Sequence, residues 1–352
     1  MPSLPLEYVL PLRWEAGCDP HAAVELAAYL ARLLAWVDVT VVDGSPVPVR
    51  DRHRALFPAA VRHVAPEPWP GGNGKVAGVM TGVRAARHEH VVIADDDVRW
   101  DRAGLARLDR LLEGAELVRP QNVFDPAPWH ARWDTGRSLL NRALGADYRG
   151  TYGLSREALL DAGGYDGDVL FENLELARTL RAAGGRELSA PDLFVRRLPP
   201  TTRHFLGQRV RQAYDDLAQP ARLVAEAALV PAALMLAQLS VRSRARTAAR
   251  RGLLLLVTVP VVLAEVGRRR HGGRAVYARS APLWAPLWLA ERAVCVWAAL
   301  VARAWGGVPY GGQRLRVAAH DMRTLRAAAA ERRTDPPRRR RASPRVEAAR
   351  LL

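Results

Sequence analysis

Along the chain, hydrophobic and polar positions follow two regimes that meet near residue 221. Before it, short apolar runs alternate with segments whose apolar residues recur at helical spacing; after it, long apolar stretches are separated by arginines. Residues 8–10 and 37–42 read as strands, the second rich in β-branched residues and closed by the turn signal Asp43-Gly44-Ser45-Pro46. Residues 22–36 carry the apolar spacing of a helix, 61–64 form a weaker strand, 68–74 are loop by composition, and 75–87 return to helix. The apolar run 91–94 then leads straight into Asp95-Asp96-Asp97. Strands alternating with helices predict an α/β domain with a mostly parallel sheet. Such sheets bind ligands beyond the carboxyl ends of their strands, where Asp43 and Asp95 to Asp97 both fall. No internal repeat interrupts this pattern.

In the second regime, residues 223–239 are apolar apart from Glu226 and Gln238, and 252–266 apart from Thr258 and Glu265. Residues 281–305 are apolar and carry Trp284, Trp288, Trp297 and Trp305, but are broken by Glu291-Arg292 and Arg303. A spanning helix needs about 20 apolar residues, and the first two runs hold 17 and 15. Three states follow: a thin hairpin whose flanking arginines snorkel to the headgroups, helices lying in the cytoplasmic interface, or a soluble helical subdomain with a second core. The tryptophan-bearing segment favours the interface for itself. Residues 241–251 and 267–280 carry five arginines each, so the positive-inside rule does not orient the helices.

Charge sharpens the division. The net +16 of the whole chain hides 27 basic against 29 acidic residues over 1–220, and 25 against 7 over 221–352. A basic segment means nucleic acid or an anionic membrane. Arginines alternating with apolar runs and tryptophans suit a membrane surface, so no nucleic-acid partner is expected. The stretch after Glu331 is charged and proline-containing and reads as disordered. Residues 1–15 show no basic, apolar leader, so no cleaved signal peptide is expected. Cys18 and Cys295 are the only cysteines. They support neither a disulfide framework nor a cysteine zinc site and fit a reducing compartment, so the expected location is the cell membrane with residues 1–220 on its cytoplasmic side. There are 51 arginines and a single lysine, Lys75.

Three adjacent aspartates are costly to hold together unless a cation neutralises them. Mg²⁺ or Mn²⁺ chooses such oxygens and is often shared with substrate phosphates. The alternative is an acidic turn that caps a helix beginning near Asp101.

Read together, VTVVDGSP, NGKVAGVMTGVRAA and HVVIADDDVRW resemble the family 2 glycosyltransferases of the GT-A fold. The resemblance implies that Asp43 contacts the nucleotide base. It also implies that Asp95 and Asp97 hold a metal ion with the sugar-nucleotide diphosphate, Asp96 lying between them in the donor site. Lys75, otherwise a surface lysine, is placed near the donor by Asn73-Gly74-Lys75. It continues through GTYGLSREALLDAGGYDGDVLFENLELARTLRAAGG, where the family's base lies in a Glu-Asp pair. Here that pair is Glu172-Asn173, so Glu172 becomes the expected base, with Glu175 one helical turn on as the alternative. A purely structural reading has Asn173 capping the helix and both glutamates favouring its N-terminal dipole. The segment RHFLGQRVRQAYDD resembles the family's Q-x-x-R-W motif, with Gln208 and Arg211 as donor-binding residues and Gln212 where tryptophan is usual; His204 reads as structural. WGGVPYGG, from Trp305 to Gly312, is like a W-x-G-x-x-Y segment that follows membrane helices in many members.

The expected organisation is a GT-A-like domain over 1–220, a membrane-associated helical region over 221–316, and a basic helix and tail over 317–352. The expected reaction is inverting transfer from a nucleoside-diphosphate sugar to a lipid or glycan hydroxyl, with residues 152–154, centred on Gly153, lining the sugar pocket. A catalytically degenerate binding protein of the same fold is the alternative, suggested by Asn173 and Gln212, and an arginine-rich nucleic-acid-binding protein is the lesser rival.

Overall fold

The structure, a computed structural model, describes residues 3–15, 20–145, 150–242 and 244–334. Cys18 and the tail beyond 334 lie outside the described residues. Eight strands form one sheet: β1 (Leu6–Leu12), β2 (Asp38–Asp43), β3 (Arg62–Val64), β4 (His90–Ala94), β5 (Val98–Arg99), β6 (Leu117–Phe124), β7 (Thr151–Ser155) and β8 (Glu187–Arg197). Their order is β3-β2-β1-β4-β7-β6-β8-β5. The first four neighbours run parallel, as do β6 and β8. β7 is antiparallel to β4 and β6, and β5 is antiparallel to β8. The sheet is therefore mixed and mostly parallel, a GT-A-like arrangement.

Alternation along β1 explains the two cores. Leu6, Tyr8, Leu10 and Leu12 point to one face, where Leu26, Leu30 and Leu33 of helix Pro20–Leu34 and Leu105 and Leu108 of helix Arg102–Leu112 cover them. Val9 points to the other, against Val76, Val79 and Val83 of helix Gly74–Ala85 and Leu176 and Leu180 of helix Glu172–Ala182. Burial on both faces is why these strands read as continuous apolar runs. Helix Gly74–Ala85 lies close on β1: a Cβ on Gly82 would sit 2.2 Å from Val9 Cγ1, so only glycine fits there.

Asp101 accepts the Gly104 N–H at 2.7 Å and caps helix Arg102–Leu112. That corrects the capping alternative for the acidic run: Asp95, Asp96 and Asp97 take no part in the cap. Asn173 does not cap its helix either, because the N-cap is Phe171 and no side chain bonds there.

Three long apolar helices follow the sheet domain. Pro220–Arg242 and Arg246–Arg269 pack on each other, with little of their apolar surface buried. Helix Ala285–Ala304, preceded by the turn Ala281–Trp284, is more deeply docked, against helices Trp129–Leu144 and Arg209–Tyr214. By length and composition all three are able to cross a membrane. The chain then returns to the sheet domain. A hairpin of β9 (Val308–Tyr310) and β10 (Gln313–Leu315) leads to backbone bonds from Leu170 N to Val317 O at 3.0 Å and from Phe171 N to Ala318 O at 2.7 Å. Helix Met322–Thr334 then packs on helix Glu172–Ala182.

Candidate active site

The carboxyl ends of β1, β2 and β4 open onto a cavity of about 730 Å³ lined by Leu12, Val42, Gly44, Lys75 and all three residues of the acidic run. A second cavity of about 240 Å³ is lined by Glu172, Gln208, Arg211 and Asp215. Lys75, Asp95, Arg197 and Tyr310 line both, so the two spaces meet at these four side chains.

Asn73 positions Lys75 by capping helix Gly74–Ala85, its Oδ1 accepting the Lys75 N–H at 3.1 Å while its amide donates to Val169 O at 2.9 Å. The lysine ammonium then lies 2.7 Å from Asp95 Oδ1 and 2.6 Å from Glu172 Oε1. Burial disfavours its charge, but Asp95 and Glu172 more than reverse that and hold its proton more firmly than usual. Lys75 is thus no free surface lysine; it ties the acidic run to the expected base.

Within the run, Asp95 reaches Lys75 and Arg197, Asp96 accepts the Trp14 indole N–H, and Asp97 Oδ2 accepts Arg197 Nε at 2.8 Å. Burial resists ionisation of Asp95, yet Lys75 and Arg197 hold its pKa below the ordinary value. Asp97 goes the other way, pushed up to about 6 by burial and by Asp95 and Asp96 against the pull of Arg197. Asp97 Oδ1 is buried with no hydrogen-bond partner. An orphaned oxygen beside two further carboxylates is a donor set that fits a hard divalent cation. The neighbouring backbone is shaped to leave this space: Gly150 O accepts the Asp95 N–H at 2.8 Å, and a Cβ on Gly150 would lie 1.6 Å from Asp95 Oδ2. Among the described residues, the three-residue group whose ligand atoms already lie within 4.8 Å of one another is a different one, Glu7, Asp38 and His88, at the opposite ends of β1 and β2. There Glu7 is already engaged by Thr40 and the Arg87 N–H.

Glu172 opens its helix and is 6% exposed. Burial raises its pKa above the usual glutamate value, with Lys75 pulling against that rise and Asp95 adding to it. Glu175 is fully buried and faces elsewhere, accepting the His320 N–H at 2.7 Å and pairing with His320 Nδ1 at 2.9 Å. The two glutamates are therefore separated in role by geometry: one lines the cavity, the other anchors the returning chain.

Asp43 is also fully buried, and its carboxylate is taken up internally by Ser45 N at 2.9 Å, His53 Nδ1 at 2.7 Å and His63 Nε2 at 3.0 Å. Burial opposes its charge, and the bonds from His63, Ser45 and His53 hold its pKa well below the usual range. It braces the cavity from behind Val42 and Gly44 instead of lining it. Gln208 and Arg211 sit in the smaller cavity with Glu172, the Arg211 guanidinium 3.2 Å from Gln208 Oε1 and stacked 4.6 Å over Tyr310. His204 is exposed at the rim of the larger cavity.

The expectation that residues 152–154 line the sugar pocket is not met. Tyr152 and Leu154 are buried between helices, and Gly153 faces Leu108, because β7 is a central strand. Gly150, just before it, is the residue that reaches the site. Nothing in the local sequence marks Arg197, Asp215 or Tyr310 as site residues, although Asp215 and Tyr310 belong to segments already noted. Asp215 is pushed up to about 7, chiefly by burial, with Arg211 opposing and Asp216 reinforcing.

Among solved structures, the chain is similar to a mannosyltransferase from Pyrobaculum calidifontis in complex with GDP-Man and Mn²⁺. That match has 18% identity and a TM-score of 0.47, covering 85% of this chain and 87% of the other. It is also similar to GalNAc-T7 with UDP, GalNAc and Mn²⁺, at 14% identity and a TM-score of 0.38, covering 56% of this chain and 43% of the other. No curated protein sequence matches. The model of the family described as "Glycosyltransferase like family 2" matches residues 37–214, from β2 through the end of helix Arg209–Tyr214. Spanning just over half of the chain, that match makes the protein a member of the family 2-like glycosyltransferases.

Proposed function

We propose that the protein transfers a sugar, with inversion at the anomeric carbon, from a nucleoside-diphosphate sugar to a hydroxyl of a lipid or glycan acceptor at a membrane. The observation that carries this is the Lys75 ammonium, within 2.7 Å of both Asp95 and Glu172 at the junction of the two cavities. One cation thereby fixes the relative position of the donor-side carboxylates and the base. Asp95 and Asp97 are the residues that would hold Mg²⁺ or Mn²⁺, which when bound offsets charge on the departing nucleoside diphosphate. The larger cavity takes the donor, with Asp96 in its wall and Asp43 bracing its nucleotide end from behind. Glu172, in the smaller cavity, accepts the acceptor's hydroxyl proton, and its raised pKa makes it a stronger base than an exposed glutamate. Gln208 and Arg211 position the reacting groups on that side.

The membrane part of this reading rests on the helices. Val224, Leu234, Met235 and Val241 on one helix, and Leu254, Val257, Val259 and Val262 on the next, are exposed, and little of either helix is buried. Helices apolar on all sides are stable inside lipid, so this pair forms an immersed hairpin with its arginine-rich ends at the headgroups. Helix Ala285–Ala304 is different. Arg292, 1% exposed, pairs with Asp216 at 3.3 Å and ties the helix's inner face to the catalytic domain. Its outer face presents Leu287, Val294, Trp297 and Val301, a stripe suited to lying on the bilayer surface.

Thermal-shift titration of the full-length protein with a panel of nucleotide sugars and Mn²⁺ tests the donor assignment. Stabilisation by at least one nucleotide sugar, abolished in Asp97→Asn, is expected; no stabilisation by any member would remove it.

A further inference from the structure

Arg197 comes from β8, the strand that pairs with β5 directly after the acidic run. It lies opposite Val98 in the β5–β8 ladder, and Leu198 N donates to Asp97 O at 2.7 Å. Its guanidinium then joins the two outer aspartates, Nε 2.8 Å from Asp97 Oδ2 and a terminal nitrogen 3.5 Å from Asp95 Oδ2. Phe124 supports it from the other side, with the guanidinium carbon 5.9 Å from the ring centre. Asp95 Oδ1 is already held by Lys75. Of the four outer carboxylate oxygens, Asp97 Oδ1 is the one with no partner.

An ion bound by both carboxylates needs more than that one oxygen, and the oxygens of Asp95 and Asp97 that share a partner share Arg197. A guanidinium and a divalent cation on the same pair of oxygens oppose each other, since their like charges repel at such range. A guanidinium released there has an obvious taker, because its planar fork matches phosphate oxygens. On the reading that Asp95 and Asp97 hold a divalent cation, we propose that Arg197 is a resident counter-cation. The incoming ion must displace it, and the donor's diphosphate then receives it, so that metal and donor are captured together. By linkage, whatever the diphosphate adds to metal affinity the metal adds to diphosphate affinity.

A merely structural Arg197, holding the edge of the sheet, makes the opposite prediction: removing it loosens the site. Mn²⁺ is titrated into full-length protein in detergent, with free ion read from its electron paramagnetic resonance signal. The titration is repeated with saturating GDP or UDP, corrected for Mn²⁺ bound by the free nucleotide. Wild type is expected to bind Mn²⁺ weakly alone and about tenfold tighter with one of the nucleotides. R197Q is expected to bind Mn²⁺ alone roughly tenfold tighter than wild type, with little further gain from nucleotide. R197K, which keeps the charge but not the fork, falls between, and it carries the test should R197Q fold poorly. Nucleotide-dependent Mn²⁺ binding in wild type that D97N abolishes, with R197Q and R197K no tighter than wild type for Mn²⁺ alone, overturns the proposal and leaves the metal site standing. Absence of Mn²⁺ binding in every protein, with or without either nucleotide, overturns the metal site and the proposal with it.

Discussion

Replacing Lys75 by methionine removes the cation that, among the described residues, touches both Asp95 and Glu172. Burial already raises the Glu172 pKa, and Lys75 is the largest influence opposing that rise. Without the ammonium at 2.6 Å, the carboxyl titrates higher still. An opposite charge at such range ordinarily holds a carboxyl down by about 1–3 pH units. A base works only when deprotonated, so the acidic limb of kcat/KM moves upward by a comparable amount. Each pH unit below the displaced limb costs about tenfold. Below the wild-type limb the variant is therefore slower by roughly ten- to a thousandfold, and it recovers much of that loss as the pH is raised. Lys75→Arg keeps the charge and shifts the limb far less, while Glu172→Gln removes the limb altogether. Release of nucleoside diphosphate with water as acceptor, followed from pH 5 to 9 at saturating metal, provides the assay. A Lys75→Met loss that is the same at every pH would show that Lys75 acts on the donor and not on Glu172, and the proposed link between the cavities would fall.

Arg292→Met breaks a buried pair with Asp216 and is expected to cost ~3 kcal/mol, lowering Tm in detergent; an unchanged Tm would mean that this pair does not dock helix Ala285–Ala304. His320 has its pKa raised mainly by its bond to Glu175. The resulting stabilisation is fully present below the unfolded histidine value of about 6.5 and is lost as pH rises through the higher folded value. Hydrogen exchange in helix Met322–Thr334 should therefore quicken across that alkaline range, more weakly in Glu175→Gln; equal pH dependence in both proteins would refute the anchor. The full-length protein is expected to stay with membranes through high salt and carbonate, since an immersed hairpin is held by its apolar surface; carbonate release would instead place all three helices at the surface.

The residues that the fold gathers around Lys75 were legible because they sit in short local patterns. Asp95 to Asp97 follow an apolar strand directly, Lys75 follows a capping asparagine, and Glu172 opens a helix after a glycine-rich turn. Arg197 was not, because it pairs across 100 positions and follows no motif. Tyr310 reaches the cavities because residues beyond the apolar helices fold back, which neither periodicity nor charge signals. The misplacement of residues 152–154 has a related cause: a central strand buried on both faces and a pocket-lining segment look alike in composition. Asp43 shows the same limit for burial. Its strand-end position was readable, but the two histidines that claim its carboxylate come from a helix and from β3. Arg292 looked like a break in an apolar helix, and in the fold it is the residue that fastens that helix to the catalytic domain.

The central claim, that Asp95 and Asp97 support metal-dependent transfer from a nucleotide sugar, is tested most directly by nucleoside diphosphate release. Wild type, Asp95→Asn and Asp97→Asn would be assayed over the same nucleotide-sugar panel, each with Mn²⁺ and with excess chelator. The account predicts turnover of at least one donor by wild type with Mn²⁺, its loss in chelator, and a fall of at least about a hundredfold in both variants. Turnover that persists in chelator, or that survives in either variant, would contradict it.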